Sequence, residues 1–165
     1  MNIKGLKDED FVNYKKPSMF IIFPSCTFKC DKENGCSLCQ NSHLAQLPNI
    51  DIDYEDIIKR YKANPISKAI VCGGLEPFDE FDDLWPLVRI LRYVYNIDDD
   101  FVVYTGYTEE EITTNPYWSL ILEEPNVIIK YGRFRPDEEE HFDEILGVKL
   151  SSNNQYAKRY NYEQS

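Results

Sequence analysis

The chain has 165 residues, enough for one domain with a real core, and 42% apolar with 14% aromatic residues exclude a disordered polymer despite a mean hydropathy of −0.50. A formal net charge of −11 and a pI near 4.6 oppose a phosphate backbone, which excludes nucleic acid as a partner class. No apolar run is long enough to span a bilayer and no leader pattern opens the chain, so the expectation is a soluble cytoplasmic protein with reduced thiols.

Residues 1–17 are polar and end in Lys15-Lys16-Pro17, which predicts a lead-in arm or a short helix. Residues 19–23 form an unbroken apolar run closed by Pro24, the pattern of a strand buried on both faces. Four of the five cysteines, Cys26, Cys30, Cys36 and Cys39, then fall within fourteen residues. Asp53 is an N-cap candidate with Asp56 at the third helical position; Ile57, Ile58 and Tyr61 share a face, and Asn64-Pro65 ends the helix. Residues 69–72 are a second apolar run, ending in Gly73-Gly74, and 75–83 read as a loop.

Asp83 is expected to cap a helix with Pro86 in its first turn. Leu84, Leu87, Val88, Leu91, Val94 and Tyr95 supply its stripe, up to Asn96. Residues 101–104 are a third run, followed by Thr105-Gly106-Tyr107, and Thr108 with Glu111 predicts a capping box. Residues 117–122 suggest another helix, and 127–129 are a fourth run, leading to Lys130-Tyr131-Gly132-Arg133. Residues 136–146 are acidic and read as loosely helical, 148–150 as a last strand, and 151–165 as a polar tail. There is no internal repeat.

Buried strand-like runs alternating with amphipathic helices predict an α/β fold with a mainly parallel sheet. Ligands of such sheets sit beyond the carboxyl ends of the strands. The cysteine segment, Gly73-Gly74-Leu75-Glu76-Pro77, Thr105-Gly106-Tyr107-Thr108 and Lys130-Tyr131-Gly132-Arg133 each follow a strand run, so all four should gather on one rim.

Thiolates at this density repel one another unless a cation or a disulfide compensates them. The spacing C-x3-C-x5-C-x2-C is open to three readings: a closed four-cysteine zinc site, a disulfide, or an iron–sulfur cluster. Only its second half fits a zinc knuckle, and a reducing compartment disfavours the disulfide.

A strand running into Cys26-Thr27-Phe28-Lys29-Cys30, then Cys39-Gln40-Asn41, then a second strand ending in a Gly-Gly…Glu-Pro turn, resembles the radical SAM enzymes. More narrowly, Gly73-Gly74-Leu75-Glu76-Pro77, Tyr104-Thr105-Gly106-Tyr107 and Ser151-Ser152-Asn153-Asn154-Gln155 resemble the activating enzyme of anaerobic ribonucleotide reductase. The resemblance implies a shortened partial (β/α) barrel. It also implies a [4Fe–4S] cluster on three cysteines, with the fourth iron left to the amine and carboxylate of S-adenosylmethionine. One-electron reduction of the sulfonium would release a 5′-deoxyadenosyl radical, the hard chemistry residing in the cofactors. By the same resemblance Gly73, Gly74 and Glu76 serve the methionine amine, and Thr105, Gly106 and Tyr107 the ribose or adenine. The implied partners are a glycyl radical enzyme, first among them the anaerobic ribonucleotide reductase large subunit, and an electron donor such as flavodoxin or ferredoxin.

Two positions depart from the family. The usual C-x3-C-x2-C would place a cysteine at position 33, which is Glu33, and Leu75 is inserted before Glu76. Cys26 and Cys39 are ligands in either alignment, with Cys30 or Cys36 as the third; Cys30 keeps the family spacing from the first strand. Two alternatives stand beside this reading: a radical SAM enzyme acting on a small molecule, and a non-catalytic four-cysteine zinc or iron–sulfur module.

The other chemistry-bearing residues have plain expectations. Cys72 ends a strand and reads as a buried hydrophobe. Lys130 reads as a solvated strand end or a cation facing the rim, and His43, His141 and the acidic run 138–140 read as solvated. No Ser/His/Asp set has a hydrolase spacing.

Overall fold

The computed structural model describes residues 1–24 and 47–161. Its strands, in chain order, are β1 (Asn2–Ile3), β2 (Gly5–Asp10), β3 (Ser18–Phe23), β4 (Ile50–Asp51) and β5 (Ala69–Gly74). After these come β6 (Asp100–Tyr104), β7 (Val127–Tyr131), β8 (His141–Asp143), β9 (Val148–Leu150) and β10 (Tyr156–Tyr160). The α-helices are α1 (Tyr54–Ala63), α2 (Phe81–Tyr93) and α3 (Glu109–Thr113).

The central sheet has six strands in the order β10–β7–β6–β5–β3–β2. β3, β5, β6 and β7 run parallel, and β2 and β10 flank them antiparallel. The fold is mixed α/β with a mainly parallel sheet, and the described residues show no barrel. Phe23 lies opposite Gly74 and Tyr104 opposite Lys130, so the carboxyl ends of the parallel strands form one edge.

Alternate strand residues face two layers, as the pleat dictates. One layer buries Met19, Ile21, Ile70, Cys72, Val103 and Ile129 against the helices, through Ile57, Ile58, Leu84, Leu87, Val88 and Leu91. The other buries Ala69, Val71, Val102 and Ile128 against Tyr14, Leu146 and Leu150. That second layer is a strap, residues 11–17, together with the β8–β9 hairpin. The Tyr14 hydroxyl donates to Asp100 at 2.6 Å, Tyr104 donates to the Asn13 carbonyl at 2.5 Å, and Lys15 N–H donates to the Leu146 carbonyl at 2.7 Å.

α1 starts after Asp53 with Glu55 and Asp56 in its first turn and Arg60 and Lys62 in its last, the order that suits the helix dipole. Asn64 ends it as expected. α2 begins at Phe81, directly after the 3-10 turn Pro77–Glu80, not after Asp83, so Pro86 lies inside the helix. It ends at Tyr93, short of the expected Asn96, whose φ of 55° is left-handed. The capping box at Thr108 and Glu111 forms with both bonds in place.

Four further stretches differ from their expected form. Residues 1–17 contain β1 and β2 where an arm or helix was expected. β2 is an edge strand rich in charge: Lys7 and Glu9 are exposed, Asp8 pairs with Arg60, and buried Asp10 accepts from Asn13 N–H, so it carries no apolar alternation to reveal it. Residues 136–146 are not helical: β8 pairs with β9 there as a hairpin. The tail holds β10, which completes the sheet against β7. Residues 118–123 form a 3-10 helix rather than a full α-helix.

Candidate functional site

The edge formed by the ends of β5, β6 and β7 brings together the residues singled out in the sequence. Glu76 is its centre. Its carboxylate accepts from Thr105 Oγ1 at 2.9 Å, from Gly106 N–H at 2.7 Å and from Phe78 N–H at 3.1 Å. The turn after β5 is thereby tied to the turn after β6. Glu76 is only 5% exposed, and burial pushes its carboxyl up to about 7 against the opposing pull of the Gly106, Phe78 and Thr105 donors.

The neighbouring bonds extend the same frame. Thr105 Oγ1 accepts from Tyr107 N–H at 3.0 Å, and Thr105 N–H donates to the Lys130 carbonyl at 2.9 Å. Tyr107 is buried, and its hydroxyl donates to Asp79 at 2.5 Å. Gly132 N–H donates to the Tyr107 carbonyl at 3.0 Å, which joins the exit of β7. The Arg133 guanidinium binds Glu111 at 2.8 Å and lies 5.8 Å from the Tyr107 ring centroid.

The glycines of this rim differ in what they serve. A Cβ on Gly74 would lie 2.5 Å from Ile22 Cγ2, and its φ is +82°. A Cβ on Gly73 would lie 3.3 Å from both Phe20 and Tyr104. Packing and backbone therefore account for these two. Gly106 is unlike them: its φ is not left-handed, and a Cβ would meet Glu76 Oε1 at 3.6 Å and Arg133 Cγ at 3.7 Å, ordinary contact distances. The fold does not demand glycine at 106. The bare Gly106 backbone therefore stands between a carboxylate and an arginine stem, within contact distance of both.

Lys130 corrects its expectation of simple solvation. It is buried, donates to the Gly132 carbonyl at 3.1 Å and lies 5.7 Å from the Tyr104 ring centroid. His141 is also not merely solvated: it stands on β8 with Nε2 2.6 Å from the Gln155 carbonyl. Asp79 and Arg133 had little to mark them in the sequence; proximity to the Glu-Pro and Tyr-Gly turns was the only signal. Cys72 is wholly buried, and desolvation raises its thiol well above the usual range, so it is an inert core residue.

Cys26, Cys30, Cys36, Cys39 and His43 lie outside the described residues. Among the described residues no group of His, Cys, Asp or Glu is arranged to hold a metal ion. β3, after which that cysteine segment follows in the sequence, ends at the same edge of the sheet as β5, opposite Gly74. Among the described residues, no helix is long and apolar enough to cross a membrane.

Residues 18–157 match the family described as a 4Fe-4S single cluster domain. No curated protein and no solved structure matches the chain.

Proposed function

The chain belongs to the 4Fe-4S single cluster domain family, and from that premise we propose that it is a radical SAM enzyme acting as a glycyl radical enzyme activase. Four clustered thiols suit an iron–sulfur cluster, and three of them, Cys26 and Cys39 with Cys30, would hold it while leaving one iron open. When bound, the cluster and S-adenosylmethionine supply a 5′-deoxyadenosyl radical through one-electron cleavage of the sulfonium.

The observation that carries the reading is the Gly106 backbone between Glu76 and Arg133, on the sheet edge where β3 ends at Phe23, three residues before Cys26 in the sequence. The chain's own contribution there is to bind and orient. Backbone groups of Gly73 and Gly74 are the contacts for the methionine end, because the Glu76 oxygens are already engaged by Thr105, Gly106 and Phe78. Glu76 accordingly shapes the turn. Thr105, Gly106 and Tyr107 are the contacts for the ribose and adenine end. Leu75, 6% exposed, takes up its extra position inside the fold, so the insertion does not break the turn.

The proposed partner is a glycyl radical enzyme such as the anaerobic ribonucleotide reductase large subunit, with a flavodoxin or ferredoxin as electron donor. The test is anaerobic purification, reduction with dithionite and incubation with S-adenosylmethionine. Brown protein that releases 5′-deoxyadenosine supports the reading. Colourless protein carrying zinc, or a reduced cluster that leaves S-adenosylmethionine intact, defeats it.

A further inference from the structure

The late run Ser151-Ser152-Asn153-Asn154-Gln155 has no part in the function above, yet Ser152, Asn154 and Gln155 turn their side chains inward. The Asn154 amide donates to the Arg133 carbonyl at 2.7 Å, and the Gln155 amide to the Gly132 carbonyl at 3.2 Å. Ser152 Oγ accepts from Arg135 N–H at 3.2 Å and donates to Asn154 Oδ1 at 2.6 Å. Gln155 Oε1 accepts from Ser152 N–H at 3.1 Å and closes the loop. These bonds reach across to the segment that leaves β7, whose backbone groups there have no strand ladder to satisfy them. Contact is close: a Cβ on Gly132, at a φ of +107°, would lie 3.2 Å from the Asn154 carbonyl.

What the loop fixes is Arg133. Gly132 N–H is bonded to Tyr107, the Arg133 guanidinium to Glu111, and Arg133 Cγ stands across from Gly106. We propose that Asn154 and Gln155 are positioning residues, which hold residues 132–135 so that the Arg133 side chain stands against the Gly106 backbone, beside Glu76. The identity of a ligand held at the Gly106 backbone rests on the radical SAM reading; the positioning does not.

Amide hydrogen exchange on the full, anaerobically reconstituted chain tests it, comparing wild type with Asn154→Asp, Asn154→Ala and Gln155→Ala. Asn154→Asp keeps the shape and the acceptor for Ser152 while setting an oxygen against the Arg133 carbonyl. Exchange at Gly132 should quicken about tenfold in each variant, with Cys72 and Val103 unchanged. S-adenosylmethionine affinity, by equilibrium dialysis, should fall about tenfold with iron and sulfide per chain constant. Arg133→Ala combined with Asn154→Asp should bind no worse than Arg133→Ala alone, since both act through one side chain. Unchanged exchange at Gly132, quickening spread evenly through the core, or additive losses in the double variant would overturn the proposal. If wild type binds no S-adenosylmethionine while Gly132 still quickens, the positioning stands and the radical SAM reading falls.

Discussion

Glycine at three rim positions illustrates how one residue type answers different demands. Gly74 is required by its left-handed φ and by Ile22, so Gly74→Ala should cost about 2 kcal/mol or more in urea denaturation. Gly106→Ala should leave that midpoint within about 0.5 kcal/mol of wild type, yet weaken S-adenosylmethionine binding measured by dialysis. A large stability loss at Gly106 would return it to the fold and remove it from the site. Glu76 carries a second signature. Its folded carboxyl binds a proton more tightly than the unfolded one, about 7 against 4.5, so the unfolded state holds fewer protons between those values. Stability from this group is therefore complete below about 4.5 and declines as pH rises through 7, by a total on the order of 3 kcal/mol. Denaturation of Glu76→Gln across pH 5 to 8 should lack that decline; a parallel slope in both proteins would refute it. The Gly-Gly and Glu-Pro residues were legible as a turn from sequence, but their division of labour was not. Which atoms meet a missing Cβ is settled by strands far away in the chain.

Elements that bury a continuous apolar run were readable because hydrophobicity alone specifies them: β3, β5, β6 and β7 fall on the four runs. The strap and the edge strands were not, since they are held by polar bonds between residues up to 145 positions apart. Asp100 shows how. Burial works to raise its carboxyl, and hydrogen bonds from Arg159, Tyr14 and Lys16 overcome this and hold it well below the usual carboxylate range. Strap, β6 and β10 are joined at this one side chain, through Tyr14 at 2.6 Å, Lys16 at 3.0 Å and Arg159 at 2.9 Å. The stability it contributes is present at neutral pH and lost only in strong acid. Asp100→Asn should cost about 2 to 3 kcal/mol at pH 7, measured by thermal or urea unfolding, and raise exchange at Lys15 N–H. No change at Lys15 would show that the strap holds without this anchor.

Among the described residues, the sheet's two faces are filled by helices on one side and by strap and hairpin on the other. The Gly106 backbone, two residues past the end of β6, therefore lies at the strand ends and not on a sheet face. The convergence of the three described strand ends on one edge was legible from the alternation of runs and helices, because parallel strands admit no other arrangement. The third cluster ligand is decided by substitution: Cys36→Ala should retain iron and sulfide, and Cys30→Ala should lose both. Retention in Cys30→Ala with loss in Cys36→Ala would reverse the assignment. The open iron itself is most directly tested by electron paramagnetic resonance of the reduced cluster, recorded before and after S-adenosylmethionine is added. A shift of the g values on addition is the result expected if three cysteines leave one iron to the ligand; a spectrum unmoved by saturating S-adenosylmethionine would contradict it.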